Sequence, residues 1–274
     1  MIRSLGPPVV VTGMHRSGTS MLSRMLGALG FFFGNDQSGN AESLFFQRLN
    51  RSICAEAGGS WSQVGPVVAQ MSSRSFVARQ ASYINNELRR EKGLLRHLGL
   101  RNRLLMFLGR SVWWGWKDPR NTITMPVWLV VFPGLRVIHT VRSGIDAAIS
   151  LHRREMSRSE GDPDLSEGCL EFAACFALWE EYEETWRSHR RLIAPANRLE
   201  VRYEDLLANP EDQLGWIMSF IGRDISRSML AEVAMAVDRD RLDNRRSRNE
   251  YREAIDALPD SATMRRLGYQ MDRG

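Results

Sequence analysis

The chain has 274 residues, of which 43% are hydrophobic and 25% charged, a balance typical of a soluble globular protein with a substantial core. Its net charge of +5 suits an anionic ligand as well as a nucleic acid, so charge alone selects neither. Three cysteines (Cys54, Cys169 and Cys175) form no C-x-x-C pair, which argues against a disulfide framework or a structural zinc site. No apolar run reaches the roughly 18 residues of a membrane span, and the N-terminus does not resemble a signal peptide. We therefore expect a soluble, cytoplasmic protein.

The first predicted element is a buried parallel strand over Val9 to Val11, three β-branched residues in a row. A polar loop from Gly13 to Gly18 follows it. Apolar residues at helical spacing then predict a helix that ends at Gly30. In a strand, loop and helix arranged in this order, the loop amides and the positive end of the helix dipole converge on one point. The stretch therefore predicts a phosphate or sulfate site.

The loop differs from the Walker A motif of nucleoside triphosphatases. In the alignment of that motif from Gly13 to Ser20, Thr19 stands at the lysine position. The basic group is Arg16, whose planar guanidinium offers two donors to one oxyanion. The alternative interpretation is a glycine turn with a solvated arginine.

A helix is predicted to start near Ala41, with Glu42 in its first turn, where a carboxylate complements the helix dipole. The segment 72–100 predicts two helices that cover or gate a site. A second strand is predicted over Val112 to Trp116, directly before Lys117. A polar residue at the carboxyl end of a parallel strand faces the ligand crevice, so Lys117 either points at the anion or forms a structural ion pair.

A third strand is predicted over Leu135 to Val141. Arg142 follows it in a turn, after which another helix begins. Ser150 and Arg154 lie one helical turn apart on that helix, so they share a face and can hold one phosphate between them. A solvated arginine pair is the alternative.

The rest of the chain continues the alternation of strands and helices. It predicts helices over 165–187, 210–221 and 262–269, and a strand over 198–203. A basic run between Arg239 and Arg248 is typical of a surface segment that can close over a polyanion. We expect one α/β domain over residues 1–274, with a mostly parallel sheet flanked by helices. A helical, acceptor-side insertion is expected at about 40–110 and a basic C-terminal segment at 238–274.

Together these motifs resemble the sulfotransferases that use 3′-phosphoadenosine 5′-phosphosulfate (PAPS), whose fold is P-loop-like. The loop has the Arg-Ser-Gly-Thr form found in tyrosyl-protein sulfotransferases and many bacterial members. An arginine at a strand end with a serine eight positions later matches the 3′-phosphate element of the family, and VRYEDLLANP at 201–210 matches a further segment. The nucleotide-covering loop of the family has no clear counterpart. The resemblance assigns donor binding to Gly13, Arg16, Ser17, Gly18, Thr19, Ser20, Arg142, Ser150, Arg154 and Tyr203.

The resemblance also implies roles in the reaction. Arg16 would steady the 5′-phosphate and Lys117 would contact the sulfuryl or bridging oxygen, while a base accepts the proton of the acceptor hydroxyl. Glu42 is the first candidate base and His15 the second, with Asp36 and His152 as further options. No metal and no nucleic acid are expected. The acceptor hydroxyl is left open between a carbohydrate, a lipid, a phenol and a peptide tyrosine, and the oligomeric state is open too.

Two other interpretations remain at this point. The strand–loop–helix also fits a P-loop kinase of nucleotides or small molecules, although Thr19 opposes it. A non-catalytic basic module would instead bind nucleic acid or acidic partners through the 239–248 run.

Overall fold

A parallel sheet lies at the centre of the fold. The computed structural model describes residues 6–108, 112–159, 165–238 and 245–271. The strands are β1 (Val9–Thr12), β2 (Gly115–Lys117), β3 (Arg136–Val141) and β4 (Arg198–Arg202). Within the described residues they form one four-stranded sheet in the order β2-β1-β3-β4, and each neighbouring pair is parallel. The predicted α/β class is confirmed.

Helices cover both faces of this sheet. On one face, Leu22 and Leu26 pack with Ile138 and Ile217. On the other, a larger cluster includes Phe46, which stacks on Trp116 with ring centroids 4.0 Å apart. The helices are α1 (Thr19–Ala28), α2 (Leu44–Glu56), α3 (Val64–Met71), α4 (Arg74–Arg89), α5 (Glu91–Phe107), α6 (Asn121–Val131), α7 (Gly144–Met156), α8 (Phe172–His189), α9 (Tyr203–Ala208), α10 (Pro210–Ile221), α11 (Arg227–Met235), α12 (Arg245–Glu250), α13 (Arg252–Asp256) and α14 (Ala262–Arg266).

The first strand and helix match their predictions, and the second strand is displaced. Gly30, with φ of 83°, follows α1 as expected. The β2 strand starts at Gly115 instead of Val112, because the backbone of Trp113 and Gly115 pairs with Phe32. A Cβ atom at Gly115 would lie 1.7 Å from the carbonyl oxygen of Val9, so close strand contact requires glycine there.

The prediction that Glu42 lies in the first turn of a helix is wrong. Ala41 has a left-handed backbone conformation with φ of 59°, and α2 begins only at Leu44. Asp36 takes the capping role instead, since its carboxylate accepts hydrogen bonds from the amide of Phe45 and the hydroxyl of Ser43. Glu42 is therefore a loop residue.

Other boundaries differ by a few residues. The helix predicted over 165–187 is divided, because Glu171 is extended between a 3-10 turn at Glu167–Leu170 and α8. Tyr203 opens α9 instead of ending β4. The terminal helix ends at Arg266, before Gly268 with φ of 74°. The α10 helix has the predicted bounds.

The two helices predicted within 72–100 are α4 and α5. The second is broken at Gly99, whose φ of 65° and ψ of 170° are not helical. Across the described ranges, no helix combines the length and apolarity needed to cross a bilayer.

Candidate active site

The loop between β1 and α1 forms the floor of a cavity of about 510 Å³ at the carboxyl ends of the strands. Positive φ angles at Gly13, Arg16 and Gly18 curl the loop, and Gly18 caps α1 without a side-chain hydrogen bond. The amides at the start of α1 therefore face the cavity. The described residues that line it are His15, Arg16, Gly18, Thr19, Ser20, Met21, Arg24, Asn40, Glu42, Lys117, Pro119, Arg142, Ser150, Arg154, Tyr203 and Ser247.

Gly13 and Ser17 support the loop from beneath and do not line the cavity. The Ser17 hydroxyl lies 2.9 Å from that of Thr140 on β3, and its amide donates to the carbonyl of Met14. A Cβ atom at Gly13 would lie 2.3 Å from the carbonyl oxygen of Thr140. These two residues therefore set the shape of the loop.

The ring of Tyr203 leaves no room for a side chain at position 18, so glycine is required there. A Cβ atom there would lie 2.3 Å from Cδ2 of that ring, and φ is 95°. We expect Gly18→Ala to lower the free energy of unfolding by about 2–3 kcal/mol in urea titrations. Gly27→Ala, in the same helix with no atom within 4 Å of the new Cβ, should raise it by up to about 1 kcal/mol. Equal effects of both substitutions would show that the contact with Tyr203 is not tight.

Lys117, the last residue of β2, forms a buried ion pair with Glu42 at the cavity wall. Its Nζ donates to Glu42 Oε1 at 2.8 Å and to the carbonyl oxygen of Asn40 at 3.0 Å, and the residue is only 2% exposed. Burial lowers the pKa of Lys117 below its ordinary value, although the Glu42 carboxylate opposes the shift. Burial raises the pKa of Glu42, but Lys117 and Arg120 outweigh it and hold that pKa below its ordinary value. The cavity thus presents an ammonium group beside a deprotonated carboxylate.

A buried polar network holds this pair from behind. Arg120 Nη1 lies 3.8 Å from Glu42 Oε2 and 3.1 Å from Asp118 Oδ1. Asn50 on α2 donates to Asp118 Oδ2 at 2.9 Å and accepts hydrogen bonds from Thr124 and Trp128 on α6. Fixed partners leave the charged groups little freedom to move.

His15 lies inside the loop with its ring 4.6 Å from that of Trp61. Its Nε2 atom is buried and has no hydrogen-bond partner among the described residues. Burial, and then the charges of Arg154, Arg120, Lys117 and Arg16, lower the pKa of His15 well below 6.5. The imidazole is therefore neutral at pH 7, and both burial and the surrounding cations disfavour its protonated form.

A second basic group faces the same cavity from β3 and α7. Arg142 follows β3, and its guanidinium carbon lies 4.6 Å above the centre of the Tyr203 ring. Ser150 and Arg154 line the cavity from one face of α7, as their spacing predicts, and Arg154 is held by Glu155 at 2.6 Å. Arg16 Nε donates to Ser150 Oγ at 3.0 Å, which joins the loop to this group.

Among the described residues of the C-terminal segment, one lines the cavity. Ser247 on α12 lines it, and Arg248 pairs with Asp146 at the start of α7 at 2.9 Å. Residues 239–244 of the predicted basic run lie outside the described residues. Arg248 therefore neutralises a carboxylate of the protein, which sequence patterning does not reveal.

Two of the four candidate bases lie elsewhere. Asp36 caps α2, and His152 bonds the hydroxyl of Tyr251 at 2.6 Å and the carbonyl of Leu170 at 3.0 Å. Neither lines the cavity, in contrast to Glu42 and His15. Sequence reasoning missed Trp61, which contacts both His15 and Arg154 and has no motif around it.

Comparisons with known proteins identify the family and the fold. A family model described as "Sulfotransferase family" matches residues 7–227. No curated protein sequence matches the chain. A solved sulfotransferase domain from the Synechococcus PCC 7002 olefin synthase is 16% identical to this chain, with a TM-score of 0.55. The match covers 97% of this chain and 96% of that domain. A sulfotransferase domain from the curacin biosynthetic pathway is 16% identical, with a TM-score of 0.54 and coverage of 97% and 99%. Sulfotransferase STF1 from Mycobacterium tuberculosis H37Rv is 17% identical, with a TM-score of 0.50 and coverage of 90% and 76%.

Proposed function

Because the chain belongs to the sulfotransferase family, we propose that it moves a sulfuryl group from PAPS to a hydroxyl acceptor. The observation that carries the proposal is the division of the cationic residues of one cavity into two groups. Arg16 in the loop, Arg24 on α1 and Lys117 at the end of β2 form one group, whereas Arg142 after β3 and Arg154 on α7 form the other. PAPS carries anionic groups at the 5′ and 3′ positions of one ribose, so its charge distribution matches this division.

The 5′ end of the donor would occupy the loop. Amides at the start of α1, together with Arg16, would bind the 5′-phosphate. The acceptor oxygen attacks sulfur while the bond from sulfur to the bridging phosphate oxygen breaks, with the two oxygens in line. Lys117 would neutralise the charge that grows on the bridging oxygen.

The 3′-phosphate would be bound by Arg142, Ser150 and Arg154. The buried Nε of Arg142 has no hydrogen-bond partner among the described residues, so a donor is available there. Tyr203 would lie against the nucleoside beneath that guanidinium. Since ATP lacks a 3′-phosphate, this group would select PAPS over ATP.

Glu42 is the proposed proton acceptor, and His15 is the alternative. Both line the cavity, and both have a pKa below the ordinary value of their side chain. The base would therefore already be deprotonated at pH 7, and if Glu42 is the base, protonation would remove activity only at pH values below the ordinary range of a glutamate pKa. The acceptor would be a hydroxyl group of a sugar, lipid, phenol or peptide tyrosine.

A transfer assay tests the proposal. The enzyme should move a labelled sulfuryl group from PAPS to at least one member of a panel of those four acceptor classes, with activity constant from about pH 7 down to about pH 5, above the ordinary range of a glutamate pKa. Glu42→Gln should lose at least about 100-fold in turnover while retaining the donor, and His15→Gln should lose less. The reverse order would assign the base to His15, and no transfer to any acceptor would count against the proposal.

A further inference from the structure

The second half of α5 exposes an apolar stripe to solvent. Before the break at Gly99, Leu94 and Leu98 are buried in the core. After it four large apolar side chains face outward. The exposed fractions are 81% for Leu100, 58% for Leu104, 87% for Phe107 and 62% for Leu108. Four such side chains on two helical turns form a contiguous patch, in contrast to the isolated apolar residues found on most surfaces.

Two arginines border this stripe. At 3.6 residues per turn, the four apolar side chains cover an arc of about 100° around the helix axis. On the same count Arg101 lies at one edge of the arc and Arg103 at the other, and both side chains are exposed. An apolar face of leucine and phenylalanine flanked by two arginines is typical of a helix that lies in a membrane interface. The arginine side chains of such a helix extend toward the headgroups.

We propose that this stripe binds the surface of an anionic membrane. The flanking arginines and the net charge of +5 complement anionic headgroups. A second copy of the chain fits less well, because a symmetric contact would bring the arginines of both copies together. The segment is too short to span a bilayer, so the chain would lie on the membrane and remain outside its core. This inference does not depend on the proposed donor or reaction.

The break at Gly99 separates the stripe from the part of α5 that hydrogen-bonds the segment 35–43, which contains Glu42. His97 Nδ1 forms a hydrogen bond with the Ser43 hydroxyl at 2.9 Å, and the carbonyl oxygen of His97 accepts a hydrogen bond from the amide of Asn35. Residues 100–107 lie beyond this anchor. Substitutions in the stripe should therefore change membrane binding without disturbing the cavity.

Sedimentation with sucrose-loaded vesicles tests the proposal. The protein should bind vesicles that contain about one-third phosphatidylserine in phosphatidylcholine, bind neutral phosphatidylcholine weakly, and dissociate as salt is raised. The double variant Leu104→Gln/Phe107→Gln should lose about tenfold in partitioning. Arg101→Gln/Arg103→Gln should lose about tenfold on anionic vesicles only. The matched control is Arg191→Gln/Leu192→Gln, an exposed pair elsewhere, which should bind as the wild type does.

The outcomes separate the possible occupants of the stripe. Loss of binding in both α5 variants, with the melting temperature unchanged, supports the proposal. Absence of vesicle binding by the wild type, or equal binding by the α5 variants and the control, overturns it. A dimer in sedimentation velocity that Leu104→Gln/Phe107→Gln dissociates, without vesicle binding, also overturns it and assigns the stripe to self-association.

Discussion

Lys117→Met should reduce the turnover number for sulfuryl transfer about 10²–10³-fold while weakening donor binding less than about tenfold. The reason is that the ammonium group would act on charge that develops only as the bond between sulfur and the bridging oxygen breaks. Single-turnover kinetics with PAPS, together with the dissociation constant for adenosine 3′,5′-bisphosphate, separates the two effects.

The substitution also leaves Glu42 buried without its closest cationic partner, which lowers stability. The double variant Lys117→Met/Glu42→Gln should recover stability in urea titrations and remain inactive. Arg24→Met is the matched control, because Arg24 also lines the cavity but donates to the carbonyl of Gly39 on the protein. It should lose less than about tenfold in turnover. A Lys117→Met enzyme that keeps more than a tenth of wild-type turnover would contradict the role assigned to this lysine.

Arg142→Ala should weaken the binding of adenosine 3′,5′-bisphosphate about 50-fold, equivalent to a charge-assisted hydrogen bond of about 2–3 kcal/mol. The affinity for adenosine 5′-phosphate, which lacks the 3′ group, should change less than about threefold, because the loop would bind the 5′ end of both ligands. Titration calorimetry with the two nucleotides measures the difference directly.

Arg153→Ala provides the matched control on α7. Its side chain bonds Ser247 and pairs with Glu250, and it lines an adjoining cavity beside Arg142 but not the cavity of the active-site loop. Both affinities should stay within about threefold of the wild type. If Arg142→Ala weakened the two nucleotides equally, Arg142 would contribute general positive charge and would not recognise the 3′-phosphate.

Local sequence patterns predicted the parts of the site that lie at strand ends. Lys117 ends β2 and Arg142 follows β3, and parallel strands bring their carboxyl ends to one edge of the sheet. Helical spacing then placed Ser150 and Arg154 on one face of α7. These inferences succeed because each depends on only a few consecutive residues and one periodicity.

The contacts that sequence could not supply are non-local. The ion pair of Glu42 with Lys117 joins residues that are 75 positions apart in the sequence. It also depends on the left-handed backbone of Ala41, a conformation that alanine rarely adopts and that the sequence therefore does not predict. The α6 helix shows no amphipathic period because it is buried almost all round, and Pro126 lies inside it. Trp61 reaches His15 only through tertiary packing.

The central claim is that one cavity binds a nucleotide by its 5′ and 3′ ends together. The most direct test is calorimetric titration of the wild-type protein with adenosine 3′,5′-bisphosphate and with ATP, each with and without Mg²⁺. We predict that the bisphosphate binds at least about 50-fold more tightly than ATP and that its affinity does not depend on Mg²⁺. Tighter binding of ATP with Mg²⁺ would contradict the account and favour a P-loop kinase.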